Sequence, residues 1–176
     1  MKKAIQHLVT FQIIACFSLF YACSEQTVPA IDPPYWDSVG DTRHNAATDD
    51  PTFALCNDES ATIQYFNVGN PPHYEGGKAA VKQAFEGFKP VDDSTSGWVR
   101  IRFIVNCEGK TGRFRIQSAD PDYKPIEVDK KIADQLLETS KNMSGWQAVS
   151  AEGQSFDYYQ YLVFKMKNGD IETILP

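Results

Sequence analysis

The sequence is poor in the residues that most chemistry needs. Three histidines, four cysteines and five arginines are spread over 176 positions. It contains no Ser/His/Asp order, no Gly-rich phosphate loop and no paired metal-ligand spacing, so the common hydrolase, nucleotide-binding and zinc signatures are missing. His44 and His73 stand at no ligand-like spacing from the cysteines, which disfavours zinc. His73, ahead of Tyr74-Glu75, offers a general base in principle, but a loop histidine at a helix entry is the plainer reading. Asp120, Asp122, Glu127 and Asp129 crowd a bend, yet their spacing misses the EF-hand loop. They read as acids at a helix start. Cations are in the minority, 17 Lys and Arg against 23 Asp and Glu, and the pI is near 5.0. A nucleic-acid partner would favour a broad basic surface. The expectation is a non-enzyme with no cofactor and no bound metal.

Long apolar runs are missing too. The longest, LVTFQIIACFSLFYA from Leu8 to Ala22, has 15 residues, short of the roughly 20 that a membrane span needs. With Lys2 and Lys3 ahead of it, it fits a signal-peptide core. It ends in Phe20-Tyr21-Ala22-Cys23, which resembles the bacterial lipobox, with Cys23 as the acylated first residue of the mature chain. Ile13-Ile14-Ala15-Cys16 matches the box better letter by letter than Phe20 to Cys23 does, but cleavage there leaves FSLFYA at the new terminus. An uncleaved short anchor is the alternative. Loss of residues 1–22 removes Lys2 and Lys3 and moves the formal net charge from −6 to −8. Cys56 and Cys107 then form an even pair. In an oxidising envelope they read as a disulfide, with free buried thiols as the alternative.

Residues 23–52 hold four prolines, many polar residues and no apolar period, and read as a flexible tether. The folded domain is expected over 53–176. Thr62 to Val68 reads as a short strand, and Gly69 to Pro72 breaks it. A helix is expected from Gly76-Gly77 to about Phe88, because Ala80, Val81, Ala84, Phe85 and Phe88 share one face. A second is expected from about Pro125 to Lys141, with Val128, Ile132, Ala133, Leu136 and Leu137 inward. Phe156 to Met166 reads as a long strand, with Leu162, Phe164 and Met166 facing the core. Asn168-Gly169 signals a hairpin to a short strand, Ile171 to Leu175. No internal repeat is present. The order β-α-β-β-α-β-β predicts an α+β domain, two helices covering one face of a small antiparallel sheet.

The most regular stretch is Gly97 to Gln117. Val99, Ile101, Phe103 and Val105 alternate with Trp98, Arg100, Arg102 and Ile104. Phe114 and Ile116 alternate with Arg113 and Arg115, the mark of half-buried strands. With Glu108-Gly109 as turn and an even loop, Ile101 faces Ile116, Phe103 faces Phe114 and Arg102 faces Arg115. That like-charge pair is destabilising. The expectation is an outward face bearing Arg100, Arg102, Arg113 and Arg115, shared with Asp157, Tyr159 and Tyr161 from the long strand. The rings would stack on guanidinium groups, and Asp157 would offset the Arg102–Arg115 repulsion. Two roles fit this face, a solvated surface or a recognition surface for an anionic or peptide partner.

The ordered set His73-Tyr-Glu-Gly-Gly77, Gly97 to Val105, Glu108-Gly109, Arg113 to Ser118, Asp120-Pro121, a helix, Trp146 and Tyr158 to Met166 resembles the TonB C-terminal domain family. The likeness is to the version common in Bacteroidetes-type envelopes, over roughly residues 62–167. The resemblance implies a periplasmic coupler that pairs its sheet edge with an extended peptide from an outer-membrane transporter. The family's inner-membrane span and long proline-rich spacer are not found, and Ile171 to Leu175 is placed to cover the family's binding edge. The sequence therefore predicts an outer-membrane lipoprotein serving as a protein or peptide interaction module through its sheet edge or its Arg/Tyr face. An accessory or diverged part of TonB-dependent transport is the alternative, and binding of a cell-wall polymer a weaker one.

Overall fold

The computed structural model describes residues 43–67, 69, 71–91 and 95–175. The expected signal peptide, Cys23 and the tether up to residue 42 lie outside the described residues. The fold is α+β. Its elements are β1 (Ile63–Gln64), α1 (Gly77–Ala84), β2 (Gly97–Val105), β3 (Thr111–Ala119), α2 (Lys130–Asn142), β4 (Val149–Ala151), β5 (Gln154–Phe156), β6 (Tyr158–Lys167) and β7 (Asp170–Leu175). The main sheet runs β1-β6-β2-β3, with β7 also on β6. It is mixed rather than purely antiparallel. β1 is joined to β6 by no hairpin and runs parallel to it, Ile63 against Tyr158.

The hairpin register is the expected one over most of its length: Ile101 faces Ile116 and Arg102 faces Arg115. The loop is not even, however. Val105 pairs with Thr111, leaving residues 106–110 as a five-residue connection. Its centre is Asn106, whose side-chain oxygen accepts from the N–H groups of Glu108 and Lys110 at 3.0 and 2.9 Å. The odd loop is compensated by one extra residue in β3, Arg113, at φ 54°. A single-residue bulge shifts the pairing by one and returns Phe114 to the core face. Its ring stacks on Phe103 at 4.9 Å.

Both helices cover one face. Val81 and Phe85 from the α1 region and Ile132 and Leu136 from α2 join Val99, Ile101, Phe103, Leu162, Phe164 and Met166 in one buried cluster. Helix α1 stops at Ala84, earlier than the apolar pattern suggested, and continues as a turn closed by Phe88 N–H on Phe85 O. Helix α2 begins at Lys130, with Asp129 as N-cap, its carboxylate accepting from Lys131 N–H at 2.7 Å. Pro125 is not in a first turn. Residues 125–126 lie along β3 instead, with Ile126 N–H on Ser118 O. The small hairpin β4–β5, turning at Glu152-Gly153 with φ 52° and 80°, was not anticipated.

The other face is not open along its length. From Ile101 to Val105 every residue of β2 is buried, whichever side it points to, and so is Asn106 after it. Here the chain from residue 43 lies against the sheet. A Cβ on Gly112 would lie 2.2 Å from the Phe53 ring, so that ring occupies the space over Gly112, opposite Ile104. Residues 43–52, expected as tether, are part of this layer.

Candidate binding surfaces

The arginines divide into two groups. Arg115 donates to both carboxylate oxygens of Asp49 at 2.6 and 3.1 Å, and to the carbonyl oxygens of Arg43 and Phe114 at 2.8 and 2.9 Å. The Asp49 side chain is 2% exposed. Hydrogen bonding from Arg115 holds its carboxyl below the usual carboxylate range despite burial. Arg113 pairs with Glu59 at 2.9 Å. Arg102, 4% exposed, lies 4.0 Å above the Tyr159 ring and 5.3 Å from Tyr161. Burial pushes the Tyr161 hydroxyl pKa up, while the Arg102 and Arg100 charges act against it. These three arginines bind the N-terminal segment and the rings of β6, so the expected outward face is covered around them. Arg100, half-buried and 6.0 Å from the Tyr161 ring, stays on the uncovered part. Among the described residues no carboxylate pairs with it.

The like-charge cost at Arg102–Arg115 is offset by Asp49 and the tyrosine rings, not by Asp157. Asp157 is fully buried and does another job. Its carboxylate accepts the backbone N–H groups of Cys56 (3.0 Å), Asn57 (2.8 Å) and Cys107 (3.0 Å). Three oriented N–H groups satisfy a buried anion without a cation. They also draw together Cys56 and Cys107, which form a disulfide. The two sulfurs and this carboxylate are the one candidate metal cluster among the described residues. The donor set does not fit an ion, because N–H groups already occupy the carboxylate and the sulfurs are bonded to each other.

Sheet edges are the other candidate. The free side of β6 is taken at one end by β1 and at the other by β7, which pairs Val163 to Lys167. That is the edge which the TonB-like resemblance assigned to a peptide. The outer side of β3 is blunted by the Arg113 bulge, by the Arg115 guanidinium on Phe114 O and by Ile126 on Ser118. Charges and bulges of this kind protect natural edges. Among the described residues no strand pairs with the outer side of β7. Beside it lies a groove of about 240 Å³ between α1 and β7, lined by Phe85, Phe88, Ile171 and Ile174 with Lys82 and Glu86 at its rim.

Other expected features have structural roles. His73 Nε2 lies 3.1 Å from Tyr65 O, and its ring packs on Tyr158. The Asp120 carboxylate accepts from the N–H groups of Asp122 and Lys124. Sequence reasoning missed Asp49, whose only signal was acidity within a segment taken for linker, and Glu59, an acid ahead of the first expected strand. It also missed the groove: Phe85 and Phe88 were read as the inward face of the first helix, and Ile171 and Ile174 only as part of a short terminal strand. No protein-family model, no curated protein and no solved structure matches the chain.

Proposed function

We propose that the chain is a lipid-anchored, non-enzymatic protein of a bacterial cell envelope, held at the outer membrane through acylated Cys23, that binds an extended segment of a partner protein along β7. One observation carries this reading: among the described residues β7 is an unpaired strand edge beside a groove that mixes Phe85, Phe88, Ile171 and Ile174 with charged residues, while β6 and β3 are covered or blunted. A strand added there gains main-chain hydrogen bonds, and alternate side chains enter the groove. The TonB C-terminal-like order of elements supports the same class of activity. The closed β6 edge argues for a different partner geometry from that family's, so a transport role would also run through β7. Arg102, Arg113, Arg115, Asp157 and Tyr159 serve the fold in this account. Arg100 and Tyr161 border the uncovered sheet face.

The test places a photo-crosslinking residue at Glu86, on the groove rim, or at Glu138, an exposed position of α2, in cells making the full chain. A discrete partner adduct is expected from Glu86 alone, and its loss when Cys23→Ala releases the protein from membranes. Equal labelling from both positions contradicts the site. A Cys23→Ala protein that still carries acyl chains contradicts the anchor.

A further inference from the structure

We infer that the end of the sheet around Trp98 and Tyr123 is a second binding site, and that it takes uncharged pyranose units of a glycan chain. Trp98 lies on the sheet face opposite the helices, in register with Ala119 on one side and Lys165 on the other. Tyr123 stacks on it with planes 9° apart and centroids 6.0 Å apart, an offset pair that shows its ring to solvent; Tyr123 is 67% exposed. Beside Trp98 is a depression of about 450 Å³ that also holds Ser96, Lys165, Asn168 and Glu172. That volume falls within the roughly 300–1,000 Å³ of small-ligand clefts.

The ring is displayed on a built loop rather than left in a loose one. Tyr123 sits at φ 64°, a conformation that bulky residues avoid. Two backbone bonds hold it there, Tyr123 N–H on Asp120 O and Asp120 N–H on Lys124 O, both 2.9 Å, together with the Asp120 carboxylate. Gly97, at φ 134°, lets the loop close, since a Cβ there would lie 2.2 Å from Ala119 O.

The chemistry of the lining selects the ligand. A pyranose has one apolar face of C–H groups, which suits the negative face of an aromatic ring. Its equatorial hydroxyls both donate and accept, which suits a rim of amide, ammonium and carboxylate. Lys165 and Glu172 already pair at 2.6 Å, and Lys167 is the one further charged residue of the lining. A single cation in excess beside two aromatic faces gives little to hold a polyanion and nothing to hold a polycation, so the ligand is uncharged.

The experiment titrates the full mature chain with β-1,4-glucose and β-1,4-N-acetylglucosamine pentamers, an α-1,4-glucose pentamer and a polyuronate pentamer. It reads the Trp98 indole and Tyr123 amide NMR signals at millimolar ligand. At least one neutral pentamer is expected to move both signals saturably. Tyr123→Asn, which removes the ring and suits a positive φ, is expected to weaken that binding about tenfold, near 1.4 kcal/mol, without lowering Tm. The inference is overturned if no neutral pentamer moves Trp98, if the polyuronate binds as well as the neutral pentamers, or if Tyr123→Asn binds unchanged.

Discussion

Arg115 holds the N-terminal layer to the sheet through a two-pronged pair with Asp49, whose other partners, Asn45 N–H and His44, belong to the same N-terminal segment. Arg115→Ala leaves an almost fully buried carboxylate without its cation, so a loss of about 1–3 kcal/mol is expected in urea unfolding. The pH dependence follows from the same pair. Asp49 has a lower pKa folded than its unfolded value of 3.8. Its contribution to stability is therefore complete above that value and is lost as pH falls through the folded pKa. Between pH 5 and 2 (roughly the window in which a paired aspartate titrates), the wild-type Tm should fall more steeply than that of Arg115→Ala. Parallel curves would contradict the assignment. Gly97→Ala combines a forbidden φ with a clash against backbone and should cost more than about 1 kcal/mol, read by Tm. The same substitution at the exposed Gly87, where nothing lies within 4 Å, should not destabilise.

The elements show what the sequence made legible. Alternation placed Ile101, Phe103, Phe114 and Ile116 on the helix side and the arginines with Tyr159 and Tyr161 on the other, because period two survives wherever one face is buried. The bulge at Arg113 left no trace, because the phase shift it makes falls at Thr111-Gly112, which carry no apolar side chain to reveal it. The layer of residues 43–61 was unreadable for another reason. It has no apolar period and is held by ion pairs, by N–H groups on Asp157 and by the disulfide, not by an amphipathic face. Pairing of Cys56 with Cys107, by contrast, followed from simple counting. The bridge closes a separation of 51 residues, for which the chain-entropy model gives about 4 kcal/mol. Reduction should lower the free energy of unfolding by that order and speed amide exchange in residues 43–58 first. Exchange that stays uniform would show that the layer is held without it.

At the scale of the whole molecule, no helix among the described residues is long and apolar enough to cross a membrane, and the proposed attachment runs through Cys23. The sheet then presents one covered edge, one blunted edge and one open edge. The chain order of the main-sheet strands was legible, the β4–β5 hairpin was not, and neither was the use of β6 by both β1 and β7, because two short strands sharing one edge require three-dimensional placement. The central claim is that β7 receives a partner strand. Its most direct test is amide hydrogen exchange on the mature chain bound to an extended peptide selected on it from a random library. The account predicts slowed exchange across residues 170–175, at least about tenfold, with residues 111–119 unchanged. Protection confined to β3, or a peptide that binds while β7 exchanges as before, would contradict it.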